Sequence, residues 1–445
     1  MNQIKKIIKY FLPILPAIIG FYGFMQVDGI KVSWALYNTI RLYGLNTDIS
    51  DINIYIEIAR WLAPVSTAGI FIVAIGAIKN NVIASVRSLR KDSCSVYGDT
   101  PEASDFLVSL GKSGIKGEAD KIRKSTYHVL MFEHDEQTLE FYAKHEKDLK
   151  NHQVFLAMKR NQQLNIKSGN LFVFSMADNC AIQYWENNLA AKTEKIALIG
   201  EGELTDILLY RGLLTNIIAL DQNIEYHIWK KDCDFIYRYQ EFKQIKFDHI
   251  VFHEEPYYRQ LPLLEKMDRI ILCGNDEDNI EILSGLSQML IDPVIHIKLR
   301  AESGIHAIYD SKKITVFGTS EKLMTREIII KEQLMNRAKK LHQYYYEQYG
   351  GKNWDELDAF KKQANLFSAQ YGIVIQQLFQ QGTNKVLLTQ LVHECWCRFH
   401  YLNGWHYSKT RDDSNKLHNL LVPFEQLAEL EVQKDRDLVE QFIAE

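Results

Sequence analysis

From Asp92 onward the chain alternates short apolar runs with helix-patterned segments, and it does so twice. The first pass reads Ser95 to Tyr97, Ala103 to Leu110, Val129 to Phe132, Glu136 to His145 and Val154 to Met158. The second starts at Lys195, with Ile196 to Gly200 as a buried strand and Leu204 to Leu214 as its helix. Strand, helix and strand in this order call for right-handed crossovers and a parallel sheet, because parallel neighbours cannot be joined by a tight turn. The fold class is therefore α/β, with two tandem parallel-sheet domains over 92–192 and 193–323. An internal echo supports the duplication: Val129-Leu-Met-Phe-Glu-His-Asp135-Glu136 against Ile270-Ile-Leu-Cys-Gly-Asn-Asp276-Glu277.

Asp135, Glu136, Asp276 and Glu277 stand where a strand ends and a helix begins. A carboxylate there caps orphan amides and meets the positive end of the helix dipole. The same sheet edge is where open α/β folds bind ligands, so Asp276 is also a candidate ligand contact. The turn Gly200-Glu201-Gly202-Glu203-Leu204-Thr205 keeps two glycines of G-x-G-x-x-G and leaves backbone approach to a phosphate open, which makes Gly200 and Gly202 candidates too. Against an ordinary NAD site, Glu201 and Glu203 would repel a pyrophosphate. The strand Ile224 to Trp229 also runs into Lys230 and Lys231 rather than a ribose-holding acid. In the first unit the corresponding turn retains Gly98 alone. This Rossmann-like layout, with Gly200-x-Gly202 and two Asp-Glu strand ends, resembles the cytosolic potassium-conductance regulator (TrkA-N) domains over roughly Asp92 to Ser320. The resemblance implies regulatory domains attached to a two-span membrane segment.

Upstream, Ile7 to Met25 carries one cation, Lys9, and Trp61 to Ile78 carries none. Each is about long enough to cross a ~30 Å hydrocarbon core. Residues 1–91 thus read as a membrane domain with two transmembrane helices, about 7–26 and 61–78. Lys5, Lys6 and Lys9 precede the first, and Lys79, Arg87, Arg90 and Lys91 follow the second. By the positive-inside rule both termini and the soluble domains face the cytosol, at a bacterial inner membrane with the lipid bilayer as partner. Between the spans, Trp34, Leu36, Ile40 and Leu42 predict an interfacial helix, while Leu42-Tyr43-Gly44-Leu45 offers no potassium filter. The 6 cysteines are dispersed through 445 residues, which argues against a disulfide framework. A net charge of -4, from 52 cationic and 56 anionic residues, excludes nucleic acid as a partner held by bulk charge.

Beyond the sheets, Met324 to Tyr349 predicts a long amphipathic helix ending at Gly350-Gly351, and Trp354 to Phe379 reads as further helix, so 324–387 is a helical connector. Next come His393-Glu-Cys-Trp396-Cys-Arg-Phe-His400, Gly404-Trp405-His-Tyr407, Arg411-Asp412-Asp413, Lys416-Leu-His418 and Pro423-Phe424-Glu-Gln-Leu427. Gly404 permits a turn that presents Trp405, and Tyr407, Arg411, Lys416 and His418 gather cations and aromatics within one short loop. Such a set suits an anionic, ring-bearing ligand, with aromatics stacked on a base and Arg forked onto phosphate. The alternative is that Trp405 and Tyr407 are core and Arg411-Asp412 an internal ion pair. His393, Cys397 and His400 share one helix face at metal-ligand spacing, but no fourth ligand accompanies them and no metal site is expected. No nucleophile elbow, P-loop lysine or kinase signature is present, and no catalytic residue is assigned.

In order and spacing this segment closely resembles the RyR domain, the repeat named after ryanodine receptors, from about Leu388 to the C-terminus at 445, continuing through Glu431, Lys434, Asp435 and Val439. The resemblance implies recognition of a nucleotide-like signal. The whole reads as a non-enzymatic, membrane-anchored sensor or effector, a homodimer or homotetramer. It would capture a nucleotide-type second messenger (a cyclic oligonucleotide, an ADP-ribose derivative or NAD) through its RyR or Rossmann-like domains and alter membrane permeability, as in bacterial anti-phage systems of similar architecture. An NAD(P)-binding membrane oxidoreductase and a passive membrane scaffold are the alternatives.

Overall fold

The structure, a computed structural model, describes residues 14–44, 52–118, 121–159, 170–231, 235, 248–289, 293–302, 304–309 and 313–444, except the side chains of 68–81 and 332. They divide into two compact units, Met1–Arg87 and Ser88–Glu445.

The first unit contains α1 (Leu15–Met25), α2 (Val32–Arg41) and most of α3 (Ile54–Ser88). Phe24, Ala35, Leu42, Ile56, Ala59 and Ala63 form its core. Gly20 and Gly23 let α1 approach its neighbours: a Cβ at Gly20 would meet Leu42 at 2.6 Å. The two expected transmembrane helices, and with them the inner-membrane placement, are corrected here. Among the described residues no helix is long and apolar enough to cross a membrane. Helix α1 has 11 residues, a rise of about 16 Å against the ~30 Å of a hydrocarbon core. Residues 7–13 of that expected span, Lys5, Lys6 and Lys9 lie outside the described residues, as do the side chains of 68–78 in the second. What is described of α3 carries Glu57, Arg60, Pro64, Ser66 and Thr67, whose hydroxyls turn back onto the Ala63 carbonyl.

The second unit holds the two expected parallel sheets. The first has the order β2-β1-β3-β4-β5, from β1 (Cys94–Tyr97), β2 (Gly114–Lys116), β3 (Tyr127–Leu130), β4 (Gln153–Ala157) and β5 (Leu171–Phe174). The second has the order β11-β10-β9-β6-β7-β8, from β6 (Thr193–Ile199), β7 (Asn223–Trp229), β8 (Asp248–His253), β9 (Arg269–Leu272), β10 (Val294–Lys298) and β11 (Ile314–Phe317). All these pairings are parallel. The second order is that of the full Rossmann fold and the first that of its flavodoxin-like relative, so both sheets have a switch point, between β1 and β3 and between β6 and β9. Strands buried on both faces explain the continuous apolar runs: Ile196, Ala197 and Leu198 are fully buried.

The sequence echo falls on equivalent places. β3 leads into α5 (Asp135–Leu149) and β9 into α8 (Asp276–Met289), with each Asp at the first helical position. Asp135 accepts the amide of Lys159, two residues beyond β4, and Asp276 accepts the amide of Arg300, two residues beyond β10, at 3.0 and 2.8 Å. Each carboxylate therefore ties down the loop after the next strand. The intervening crossovers use α4 (Pro101–Ser109), capped by Thr100, α6 (Met176–Asn187), capped by Ser175, and α7 (Glu203–Thr215).

After β11, a short helix, Arg326–Ile330, is followed by Lys331 in the left-handed conformation and then by α9 (Glu332–Tyr349). The expected continuous helix from Met324 is broken there. Ile328 to Ile330 are β-branched and poor helix formers, and Ile329 and Ile330 are buried in the core, which favours the elbow. The chain ends in α10 (Ala359–Gln380), α11 (Lys385–Leu402) and α12 (Glu429–Ala444). One continuous core joins residues of both sheets, such as Val129 and Leu198, to Tyr371, Leu391 and Phe442 of these helices.

Candidate ligand-binding site

Helices α9 to α12 and the loop after α11 enclose a cavity of about 680 Å3, within the size range of small-molecule sites. Helical spacing on α11 sets one wall: His393, Trp396 and His400 fall at i, i+3 and i+7 and all face the cavity. Gly404, with φ 76, makes the turn that sends Trp405 back across this face. The Trp405 ring stacks on Phe360 at 5.1 Å and meets His400 edge-on at 5.3 Å, while His418 meets Trp396 edge-on at 5.0 Å. The loop is held by two short paired segments, β12 (His406–Tyr407) and β13 (Leu417–His418).

Charge rings this aromatic box. Arg411 binds Asp413 through Nε at 2.7 Å and Nη2 at 3.3 Å, and Lys361 binds the same carboxylate at 3.0 Å. Those cations hold the Asp413 carboxyl far below the usual carboxylate range. The expected alternative pairing, Arg411 with Asp412, does not form; Asp412 instead accepts the amides of Ser414 and Asn415. On the opposite wall Lys434 pairs with Glu431 and lies over the rings of Tyr345 and Tyr349.

Two histidines of α11 differ in charge because their surroundings differ. Burial alone would lower the pKa of His393, but Asp435 at 3.4 Å, Cys397, and the Val422 carbonyl at 2.8 Å outweigh it and push it up to about 11. His400 has no such acid beside it, and burial takes it down to about 3. His418 is lowered to about 4 by burial and by Arg411. The site thus presents neutral imidazoles at its floor and one imidazolium at its side. These contacts hold the histidines in hydrogen bonds within the domain, and among the described residues no cluster of His, Cys, Asp and Glu could hold a metal ion.

Trp405 is 5% exposed, and its indole Nε1 has no hydrogen-bond partner among the described residues. A buried donor without a partner is costly.

Of the sequence candidates, Trp405, Arg411 and His418 come together here. Tyr407 is 53% exposed and is not part of this cavity's lining. Lys416 borders a second cavity, with its ammonium on the Asn403 carbonyl at 3.0 Å. Phe360, Lys361, Tyr345, Trp396 and Lys434 belong to the site and were not among the candidates. The shared face of His393, Trp396 and His400 was the one available signal for Trp396, whereas Phe360 and Tyr345 arrive from other helices.

Gly200, Gly202 and Asp276 lie elsewhere, at the switch point of the second sheet. A Cβ at Gly200 would meet the Gly274 amide nitrogen at 2.3 Å, so this glycine serves the close approach of two strand ends. Gly202 opens α7 with free space around it. The surroundings do not suit NAD(P). Thr205 stands at the third glycine position with its hydroxyl on the Gly200 carbonyl at 2.8 Å, Glu201 accepts the Lys231 amide, and Lys230 is locked on Asp206 at 2.6 Å. Asp276 spends its second oxygen on Lys298, at 2.8 Å.

No curated protein matches the chain. The family model described as the RyR domain matches residues 372–444, which carry α11, the Trp405 loop and α12.

Proposed function

We propose that the protein is a sensor whose C-terminal domain captures a small, ring-bearing anion of the nucleotide class, and that the two Rossmann-like sheets receive the signal. The observation that carries this reading is the aromatic cavity lined by Phe360, Trp396 and Trp405 and rimmed by Arg411, Lys361 and Lys434. A base stacks on such rings. Arg411 uses its Nε and Nη2 edge for Asp413, which leaves Nη1 to meet a phosphate. Helix α11 carries the signal onward, because Arg398 on its other side is buried against the second sheet. The regulator-like layout of the sheets supports a receiving rather than a catalytic role.

Calorimetric titration of cyclic oligonucleotides and ADP-ribose derivatives tests the reading. A ligand that binds should lose roughly 1.5–3 kcal/mol of affinity in Arg411→Ala. Undiminished binding by Arg411→Ala would remove this cavity from consideration.

A further inference from the structure

A second cavity, of about 550 Å3, lies where the first sheet, helix α7 and the C-terminal helices meet. Phe155 and Phe172 bound it from the first sheet, Ile207 and Tyr210 from α7, and Phe367 from α10, so about half of its wall is apolar. Five charged residues line it: Lys331, Arg211 and Lys416 against Asp178 and Glu203, a surplus of one positive charge. Arg211 and Asp178 are joined by two hydrogen bonds of 2.6 Å and neutralise each other. Lys331 is half-buried, and its ammonium makes no direct ion pair among the described residues, although the carboxylates of Asp178 and Glu186 act on it from farther off.

A second, independent feature singles out the same two lysines. Lys331 and Lys416, both at φ 53, are the only non-glycine residues with positive φ among the described residues, and both border this cavity. The left-handed conformation is disfavoured for L side chains and persists where the surroundings impose it, often at functional positions. At Lys331 it forms the elbow between Arg326–Ile330 and α9; at Lys416 it returns the loop that carries Trp405.

We infer that this cavity is a second ligand site, distinct from the one around Trp405, and that it takes an amphipathic monoanion: an apolar, ring-sized body with one carboxylate, sulfonate or phosphate directed at Lys331. The apolar part of the wall favours the body by burial, and the anion supplies the direct contact that Lys331 lacks. Three structural modules contribute to the wall, so an occupant bridges the first sheet, helix α7 and the loop that carries Trp405.

The test uses the full chain and two fluorescent probes of the same ring system, 1-anilinonaphthalene-8-sulfonate and the uncharged N-phenyl-1-naphthylamine. Saturable binding of the sulfonate is expected, about tenfold or more tighter than the amine, the range of one charge-assisted hydrogen bond. Lys331→Gly should weaken the sulfonate by about the same factor and leave the amine unchanged. Glycine accepts φ 53 without strain, so this variant keeps its thermal midpoint and a loss of binding is not a loss of fold. No saturable binding, equal affinity for the two probes, or sulfonate binding that survives Lys331→Gly would each overturn the assignment. Loss in Arg411→Ala with retention in Lys331→Gly would place the probe in the first cavity and overturn it as well.

Discussion

The guanidinium of Arg398, in the middle of α11, reaches the carboxylate of Asp248 at the start of β8 at 2.5 Å, and both side chains are sealed from solvent, at 1% and 0% exposure. The same guanidinium donates to the Leu213 carbonyl and to Glu394, each at 3.0 Å. A buried pair of this kind adds little net stability over an apolar pair, but breaking it strands a charge in the interior. It therefore specifies where the C-terminal helix sits on the second sheet.

Arg398→Met should destabilise the protein by about 3–5 kcal/mol, because Asp248 is left buried without its partner. Adding Asp248→Leu should restore much of that loss. Urea denaturation of the wild type, both single variants and the double variant measures the coupling, and strict additivity of the two single effects would show that the pair does not act as a unit.

The switch-point glycines should differ sharply in tolerance. A Cβ at Gly98 would lie 1.8 Å from the Met131 carbonyl oxygen and one at Gly200 would lie 2.3 Å from the Gly274 nitrogen, whereas Gly202 has nothing within 4 Å. Gly98→Ala and Gly200→Ala should cost more than about 2 kcal/mol, and Gly202→Ala about 1 kcal/mol for its φ of 106 alone. Thermal denaturation ranks the three, and a Gly202→Ala as damaging as Gly200→Ala would contradict the close-approach argument.

Stability should be greatest near neutrality and fall on both sides. Burial holds His128 down to about 4, His296 to about 3 and His400 to about 3. Below about pH 6.5 the unfolded chain therefore binds more protons at these positions than the folded one, and stability drops as pH falls. His393 works in the opposite sense. With a folded pKa of about 11, its contribution is complete below about pH 6.5 and is lost as pH rises from there through its folded value. Denaturation curves at about pH 5, 6.5 and 9 should show His400→Gln flattening the acid limb and His393→Gln flattening the alkaline limb.

Trp405→Phe separates packing from recognition. The smaller ring keeps the stack on Phe360 and removes an unsatisfied buried donor, so stability should change by less than about 1 kcal/mol. Affinity for a ligand that accepts from the indole should fall about tenfold. Parallel thermal melts and ligand titrations check both halves; full affinity in Trp405→Phe would mean that the indole nitrogen is not a contact.

The sequence by itself determined the two parallel sheets, since each strand-helix-strand unit is a local pattern and the Asp135 and Asp276 echo marks the same joint twice. It also marked the C-terminal segment by its Gly404-Trp405 turn and its Arg411 to His418 loop, all within a few residues of one another. Tertiary structure decided the rest. Phe360, Trp396 and Lys434 stand on three different helices and meet Trp405 only once those helices pack, while Tyr407 and Lys416, close to it in sequence, are not part of its cavity's lining, Lys416 being turned by its left-handed backbone to border the second cavity. Glu201, Lys230 and Thr205 could be read as a degraded phosphate turn, but only the fold shows that each is spent on an internal partner. The transmembrane expectation failed because spanning requires length and apolarity in one helix: among the described residues α1 has 11 residues, and the long α3 carries Glu57 and Arg60 near its start, so no helix there is both long and apolar enough.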